Sequence, residues 1–197
     1  MLYISKDLLN IFFINPKCCF STFEELVKNN YLIKLGDKIN IDINENTKLY
    51  CIVRNPYNRF LSFYNDKFIC CFDGTYNNCD KQPCHQKIFR YFPENKIRKL
   101  DFSIDDLINC VIKGYRDWHI LPQNYILHQN NTGKKVNYLK MEDENFNKYL
   151  KDLIGCEIPK NNSTSTKKKP ILSKNNKLII YKLYQKDFQE FNYQKNI

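Results

Sequence analysis

The stretch IFFINPKCCFST, residues 11–22, decides the fold that the sequence predicts. Apolar, β-forming residues run up to Asn15-Pro16, and a lysine, a tight loop and two hydroxyl residues follow. This order predicts a strand over residues 10–14, then a loop, then a helix over residues 22–30. Backbone N–H groups and the positive end of the helix dipole converge at such a helix start, so the stretch predicts an anion site.

The hydroxyl groups at the start of that helix have two possible uses. Ser21 and Thr22 each have a glutamate three residues later, Glu24 and Glu25, which is the spacing of a capping box. A hydroxyl that caps its own helix is not free in the same way to bind a phosphate oxygen. Each hydroxyl is therefore expected either to cap the helix or to contact the anion.

A second strand and helix follow the same plan. The apolar run at residues 49–53 ends at Arg54, and Asn55 and Pro56 are typical of an N-cap and a first helical residue. Apolar side chains then recur at helical spacing and predict a core-facing stripe of Tyr57, Phe60, Leu61, Tyr64 and Phe68. Ligands bind at the carboxyl ends of strands in parallel sheets, so we expect Lys17 and Arg54 to face one crevice.

The remaining patterns predict a single α/β domain over residues 1–197, with a central, mainly parallel sheet flanked by helices. Further strands are predicted at 39–43 and 136–140, and further helices at 103–114, 142–154 and 176–193, with Gly114 and Gly155 as terminators. Two polar segments interrupt them: a cysteine-containing excursion at about 70–95, and a Lys-rich loop at about 156–176.

Composition limits the partners and the compartment. The formal net charge of +10 suits nucleic acid, an acidic membrane surface, a sulfated or carboxylated polymer or a nucleotide-like cofactor, and it also suits a merely lysine-rich solvated surface. No apolar run approaches the ~18 residues of a membrane span. The N-terminus does not resemble a signal peptide, so the sequence indicates a cytoplasmic protein without a membrane span.

The nine cysteines leave three alternatives open. Cys70, Cys71, Cys79 and Cys84 lie in one polar segment, where they could form disulfides in an oxidising compartment. A zinc site is the second alternative, although neither a paired CxxC motif nor a zinc-finger His/Cys spacing is present. Free thiols are the third and the favoured interpretation, so no metal is expected.

The loop chemistry argues against one familiar class of nucleotide site. Residues 15–19 contain no glycine, and the chain lacks GxxxxGK[ST] there, which disfavours a Walker-type kinase or ATPase. The lysine also precedes the two hydroxyl residues by four and five positions, which is not the Walker order.

Two stretches instead resemble the carbohydrate sulfotransferases that use 3'-phosphoadenosine 5'-phosphosulfate. PKCCFST at residues 16–22 is similar to that family's PKxGSTS loop, and VRNPYNRFLSFYNDKF at 53–68 to its VRdPyxRlxSxYxdKF signature. Shorter similar segments are WHILPQ at 118–123, YLKMEDENF at 138–146 and YKLYQKDFQEFNY at 181–193. The resemblance implies a P-loop-like sulfotransferase fold and sulfuryl transfer to a hydroxyl of a carbohydrate or glycoconjugate, with no nucleic-acid partner. That family is often Golgi-bound, which makes a Golgi or membrane-associated location the alternative to the cytoplasm.

The resemblance also implies roles for individual residues. Lys17 would contact the phosphosulfate and stabilise charge on the leaving oxygen, as a compact ammonium can. The loop's N–H groups and two hydroxyls would hold the 5'-phosphate, and Arg54 and Ser62 the 3'-phosphate. The implied donor-binding residues are Lys17, Cys18, Cys19, Phe20, Ser21, Thr22, Arg54, Ser62, Lys167, Lys168 and Lys169, of which the last three otherwise read as a solvated linker.

His119 is the preferred general base, because histidine titrates near neutrality and this one lies in a loop of suitable composition. A packing role beside Trp118 is the alternative, and His85, His128 and Glu142 are the other candidate bases.

Two residues depart from the family pattern. Cys19 stands where the family has glycine, and a β-carbon at a left-handed position costs roughly 1–2 kcal/mol. Phe20 replaces a small residue and would narrow the approach of a phosphate. These departures leave open a protein that keeps the fold and nucleotide binding but lacks transfer activity. The net charge of +10 and the aromatic content separately keep a non-catalytic basic module that binds nucleic acid or acidic polysaccharide as the alternative function.

Overall fold

The computed structural model describes residues 1–36, 45–69, 90–91, 102–129, 133, 135–159 and 170–197. Its strands, in chain order, are β1 (Leu2–Ser5), β2 (Asn10–Ile14), β3 (Leu32–Gly36), β4 (Lys48–Val53) and β5 (Val136–Lys140). Its α-helices are α1 (Phe20–Lys28), α2 (Pro56–Tyr64), α3 (Ile104–Ile112), α4 (Gln123–Gln129), α5 (Phe146–Ile154), α6 (Lys174–Leu183) and α7 (Gln185–Glu190). A π-helical turn, Asn65–Ile69, continues α2.

The five strands form one mixed sheet in the order β3-β1-β2-β4-β5. β4 pairs in parallel with both β2 and β5, whereas β1 is antiparallel to both of its neighbours. β3, β2, β4 and β5 therefore run in one direction and β1 in the other. The predicted α/β architecture with helices around a central sheet is confirmed, and β1 is what makes the sheet mixed.

Alternating side chains bury both faces of the sheet. One face packs on α1 and α5, where Phe12 and Ile52 of the sheet meet Phe23 of α1. The opposite face packs on α4, where Phe13 is buried in one cluster with Ile126. A third cluster joins α2, α3, α6 and α7. Each fully buried apolar side chain of this size contributes about 1.5–3 kcal/mol, so the sheet is held from both sides.

The start of α1 differs from the predicted capping box. The helix begins at Phe20, two residues earlier than expected, and its N-cap is Cys19 in the left-handed conformation with φ 55°. No side chain caps this end, and the Glu24 carboxylate instead accepts from the Tyr3 hydroxyl at 2.7 Å. The capping-box prediction for Ser21 and Thr22 is therefore wrong, because both residues lie inside the first helical turn.

The start of α2 agrees with its prediction. The Asn55 side chain accepts hydrogen bonds from Tyr57 N–H at 3.0 Å and from Asn58 N–H at 3.5 Å, and Pro56 is the first helical residue. The predicted stripe of Tyr57, Phe60 and Tyr64 is buried, and Leu61 packs against the same cluster. The side chain of Phe68 lies outside the described residues.

Other predicted helix and strand boundaries differ from the structure or lie outside the described residues. β1, β3 and α4 were missed, and the strand predicted at 39–43 lies outside the described residues. The helix predicted from residue 142 begins only at Phe146 but ends at Gly155 as expected, with φ 79°. The predicted closing helix is two helices, because Tyr184 leaves the helical conformation between α6 and α7. No helix in the described ranges is long and apolar enough to cross a membrane.

The two asparagine N-caps offer a matched test of capping. Asn55→Ala removes the side-chain acceptor at the start of α2 and should lower the free energy of unfolding by about 1 kcal/mol. The control is Asn145→Ala, because Asn145 is the N-cap of α5 and its side chain makes no capping bond. Urea unfolding of both variants measures the difference, and equal losses would contradict the capping role of Asn55.

Candidate functional site

The loop that connects β2 to α1, residues 15–19 and called here the Pro-Lys loop, has a strained backbone. Lys17 and Cys19 adopt the left-handed conformation, with φ 67° and 55°. The Cys18 N–H donates to the Asn15 carbonyl at 3.1 Å, which closes a tight turn. Non-glycine residues adopt this conformation at a cost that the surrounding structure must offset, and such residues concentrate at functional sites.

The first turn of α1 presents backbone donors at the end of this loop. The first intrahelical bond runs from Phe23 N–H to the Cys19 carbonyl at 3.1 Å, so three backbone N–H groups of the helix start precede it. These groups belong to Phe20, Ser21 and Thr22. They lie at the positive end of the α1 dipole, which is a favourable position for an anion.

Arg54 lies beside the Pro-Lys loop because β2 and β4 are parallel neighbours. The paired residues Ile14 and Ile52 bring the carboxyl ends of the two strands together. The Arg54 guanidinium then donates from one nitrogen to the Lys17 carbonyl at 3.1 Å. This contact joins the Arg54 side chain to the Lys17 backbone, and the shared crevice stays a prediction. A guanidinium carries five N–H donors, so one such bond leaves others for a ligand.

Gln123 fastens Arg54 to the start of α4. Its buried side chain accepts from the Arg54 N–H at 2.9 Å and donates to the Arg54 carbonyl at 2.8 Å. The Cys18 thiol also donates to the same Gln123 oxygen, at 3.4 Å. Asp187 of α7 in turn accepts from the Gln123 N–H at 2.8 Å. One amide side chain therefore holds the ends of both strands in position.

Arg59 secures the loop from the α2 side. This arginine is 2% exposed, and it donates to the Pro16 carbonyl at 3.0 Å and to the Leu121 carbonyl at 2.7 Å. The segment that carries Trp118 and His119 is thus joined through one guanidinium to the Pro-Lys loop. Buried Arg59 is a structural clamp, whereas the partly exposed Arg54 remains accessible to a ligand.

The Lys17 ammonium forms an ion pair with Asp66 of the π-helical turn, at 2.7 Å. Lys67 lies 3.2 Å from the same carboxylate oxygen. The Lys17 side chain is only 15% exposed, against 31% for Asp66. A carboxylate between two ammonium groups balances the local charge, and the turn that carries it continues directly from α2.

Burial and pairing act in opposite directions on these two residues. Burial lowers the pKa of Lys17, and the Asp66 carboxylate opposes part of that effect. Burial also raises the pKa of Asp66, but the charges and hydrogen bonds of Lys17 and Lys67 outweigh it and hold that pKa below its ordinary value. The lowered pKa keeps the Asp66 carboxylate ionised at neutral pH, and that carboxylate favours the charged form of Lys17.

The two loop thiols are inert. Burial raises the pKa of Cys18 and of Cys19 to about 12, so thiolate is scarce at neutral pH. All five cysteines in the described ranges are free thiols, namely Cys18, Cys19, Cys51, Cys110 and Cys156. The four cysteines of the predicted excursion lie outside those ranges. Phe20 is 40% exposed, and its ring is 5.8 Å from the Lys34 ammonium.

His119 forms a pair with Asp117, which the sequence did not suggest. Its ring Nδ1 lies 2.6 Å from an Asp117 carboxylate oxygen, and its backbone N–H donates to the same oxygen at 2.8 Å. The ring also stacks on Phe63 of α2, with centroids 6.2 Å apart and an interplanar angle of 27°. Since Asp66 follows Phe63 by three residues, the histidine packs on the helix that leads to the Lys17 partner.

The remaining candidates have different surroundings. His128 lies 3.2 Å from Glu190 and is 57% exposed, away from Lys17. Glu142 accepts from the Asn55 N–H at 3.0 Å and from the Tyr193 hydroxyl at 3.0 Å, so it sits at the start of α2. Ser62 is partly buried on α2. His85 and the lysines at 167–169 lie outside the described residues.

The described ranges offer no metal site and place a cavity away from the Pro-Lys loop. They hold no group of three or more His, Cys, Asp and Glu side chains that could bind a metal ion. A cavity of about 440 Å³ lies at the opposite edge of the sheet, because its lining residues belong to the starts of β4 and β5 or precede them. That cavity is far from the Pro-Lys loop in the sheet and has no part in the site.

The sequence model of the sulfotransferase family matches residues 16–194. The chain belongs to the sulfotransferase family. The matched range contains Lys17, Arg54 and His119, and it confirms the resemblance noted in the sequence. Membership supports a transferase with a sulfate donor and an acceptor substrate. Comparison with curated proteins and with solved structures finds no match.

Sequence reasoning missed four residues that the structure places at the candidate site: Arg59, Asp66, Asp117 and Gln123. Arg59 and Asp66 lie inside the quoted signature at residues 53–68, so that signature carried a signal for both. Asp117 precedes His119 by two residues, which is the spacing of a turn in which a carboxylate binds its own backbone. Gln123 is the last residue of the quoted segment WHILPQ, but its role depends on contacts with residues 69 and 105 positions away.

Gln123 is a test of how the two strand ends are held. Gln123→Met keeps the length of the side chain but leaves the Arg54 N–H and carbonyl without partners, so the free energy of unfolding should fall by roughly 2–4 kcal/mol. The control is Gln185→Met at the exposed start of α7, with an expected change of about 0.5 kcal/mol or less. Urea unfolding compares them, and a Gln123 variant as stable as the control would refute the clamp.

Proposed function

We propose that this protein transfers a sulfuryl group from 3'-phosphoadenosine 5'-phosphosulfate to a hydroxyl group of a carbohydrate or glycoconjugate. The observation that carries the proposal is the contact between the Arg54 guanidinium and the Lys17 carbonyl at 3.1 Å, in a member of the sulfotransferase family. This contact brings two cationic strand ends and one helix N-terminus to the same edge of the sheet. Such a set of donors suits a nucleotide with two separate phosphate groups.

The donor chemistry fits the residues present. The N–H groups of Phe20, Ser21 and Thr22 suit the 5'-phosphate, with the Ser21 hydroxyl beside them. The guanidinium of Arg54 suits the 3'-phosphate, with Ser62 on the helix that follows. Cys18 and Cys19 support the loop through its backbone, because burial keeps both thiols protonated. We extend the proposal to Lys167, Lys168 and Lys169 as further contacts to the nucleotide.

In the proposed reaction, Lys17, His119 and Arg54 have different roles. When bound, the donor supplies the sulfuryl group. Lys17 places a positive charge at the leaving phosphate oxygen, where negative charge develops. His119 Nε2 accepts the proton of the acceptor hydroxyl, so the hydroxyl oxygen can form its bond to sulfur. Arg54 and the helix start orient the nucleotide, and positioning of this kind accounts for most of the rate in related group transfers.

Lys17→Ala separates binding from turnover. Nucleotide binding should survive in part, because Arg54 and the α1 N–H groups remain, while turnover should fall by about 10²–10³-fold. Calorimetry with 3'-phosphoadenosine 5'-phosphate measures binding, and a sulfur-labelled donor with a panel of glycans, glycolipids and peptides measures transfer. Lys28→Ala is the control, because Lys28 is an exposed lysine at the opposite end of α1.

Three outcomes would contradict the proposal. They are no saturable nucleotide binding by the wild type, equal binding after Arg54→Ala, and wild-type turnover after Lys17→Ala. Binding of heparin or an oligonucleotide with a steep salt dependence and no response to the nucleotide would favour a non-catalytic basic module instead.

Asp66→Asn tests the dependence of Lys17 on its carboxylate partner. The charges near Lys17 are those of Asp66, Lys67 and Arg54, and Asp66 is the one that raises its pKa. Without it the ammonium loses its proton at lower pH, and a neutral amine no longer attracts an anion. Nucleotide affinity in the variant should therefore weaken at lower alkaline pH than in the wild type, as calorimetry from pH 7 to about pH 10 would measure.

A surface ion pair provides the control for that experiment. Glu157→Gln removes the carboxylate partner of Lys151, whose side chain is half exposed. This variant should keep the pH dependence of the wild type. An Asp66→Asn variant with the same pH dependence as both would show that Asp66 does not support the charge of Lys17 during binding.

A further inference from the structure

We infer that Asp117 is a positioning residue, which holds the His119 ring with Nδ1 protonated and leaves the Nε2 lone pair to accept a proton. This inference rests on the proposed function, because it assigns the orientation of the base in that reaction. Three contacts of one short segment support it, and none of them requires the bound sulfuryl donor.

The first contact is the bond between the two side chains. The Asp117 oxygen lies 2.6 Å from His119 Nδ1, and the Asp117 side chain is 11% exposed. Burial raises the pKa of Asp117, but the two hydrogen bonds from His119 and the charges of His119 and Lys67 lower it more, so the group stays ionised. An ionised carboxylate can only accept, and the proton of this bond therefore belongs to Nδ1.

The second contact fixes the aspartate itself. The same Asp117 oxygen accepts the His119 backbone N–H at 2.8 Å, and the Asp117 carbonyl accepts from Ile120 N–H at 3.0 Å and Leu121 N–H at 3.1 Å. The turn is thereby closed on both sides of His119. A carboxylate held by its own turn cannot rotate away from the ring without breaking a backbone bond.

The third contact fixes the plane of the ring. His119 stacks on Phe63, a residue that is 0% exposed on α2. One face is thus covered, while the ring remains 38% exposed and open to a substrate. Lys67 links the two parts of the site, because its charge acts on both Asp66 and Asp117.

The chain contains a matched pair that lacks these features. His128 also lies beside a carboxylate, that of Glu190, but at 3.2 Å and with a side chain that is 57% exposed. A histidine–carboxylate pair on the surface contributes little to stability. The contrast separates a positioned histidine from an ordinary surface pair.

The decisive experiment is two-bond proton–nitrogen NMR on protein labelled with ¹⁵N-histidine, with no donor present. The chain has three histidines, and His119→Gln assigns the signals of His119 by their loss. In the wild type the neutral His119 ring should carry its proton on Nδ1. In Asp117→Asn that preference should disappear, whereas Glu190→Gln should leave the His119 signals unchanged.

Turnover supplies the second readout. Asp117→Asn should lower turnover at least about tenfold, because a misoriented base loses part of the ~10²–10⁴-fold that general-base catalysis contributes. Affinity for 3'-phosphoadenosine 5'-phosphate should stay within about twofold of the wild type. Should Asp117→Asn fail to fold, Asp117→Ser replaces it, because serine keeps an acceptor for the turn while removing the carboxylate.

The two hypotheses fail in different ways. A wild-type His119 that carries its proton on Nε2 overturns the role of Asp117, and so does a lost tautomer preference with unchanged turnover. Absence of nucleotide binding and of sulfuryl transfer in the wild type overturns the proposed function, while the tautomer still reports whether Asp117 orients the ring.

Discussion

Parallel pairing of β2 with β4 is the constraint on which the site depends. The register places Ile14 opposite Ile52, so the two strands deliver the Pro-Lys loop and Arg54 to one edge of the sheet. Gln123 then bonds both backbone polar groups of Arg54, and the Arg54 side chain reaches the Lys17 carbonyl. Because adjacent parallel strands end at the same edge, the residues that follow β2 and β4 are neighbours in space.

This arrangement has a cost in folding free energy. The loop holds two non-glycine residues in the left-handed conformation and a lysine that is largely buried. The structure offsets both through contacts that come from elsewhere in the chain: Arg59 binds the loop backbone, and Asp66 supports the lysine charge. The left-handed backbone and the cationic side chains together make a preorganised arrangement that suits an anionic ligand.

Local signals predicted the elements that depend only on neighbouring residues. The buried run of β2 and the Asn55-Pro56 start of α2 were read correctly, because a strand pattern and an N-cap are decided within a few positions. The start of α1 was read wrongly. Its backbone path is held by Arg54 and Arg59, which bind the carbonyls of Lys17 and Pro16, and a capping-box pattern carries no information about such distant partners.

The sequence by itself determined the family, the α/β class and the two cationic strand ends, because each of these depends on residues that are contiguous in the chain. Only the tertiary structure decided which partners those residues have. The closing helix breaks at Tyr184, whose hydroxyl donates to the Ile120 carbonyl at 2.6 Å. Asp117 matters because its carboxylate contacts the ring of His119. Hydrogen bonds between distant segments depend on how helices and strands pack, and no periodicity within one segment records that packing.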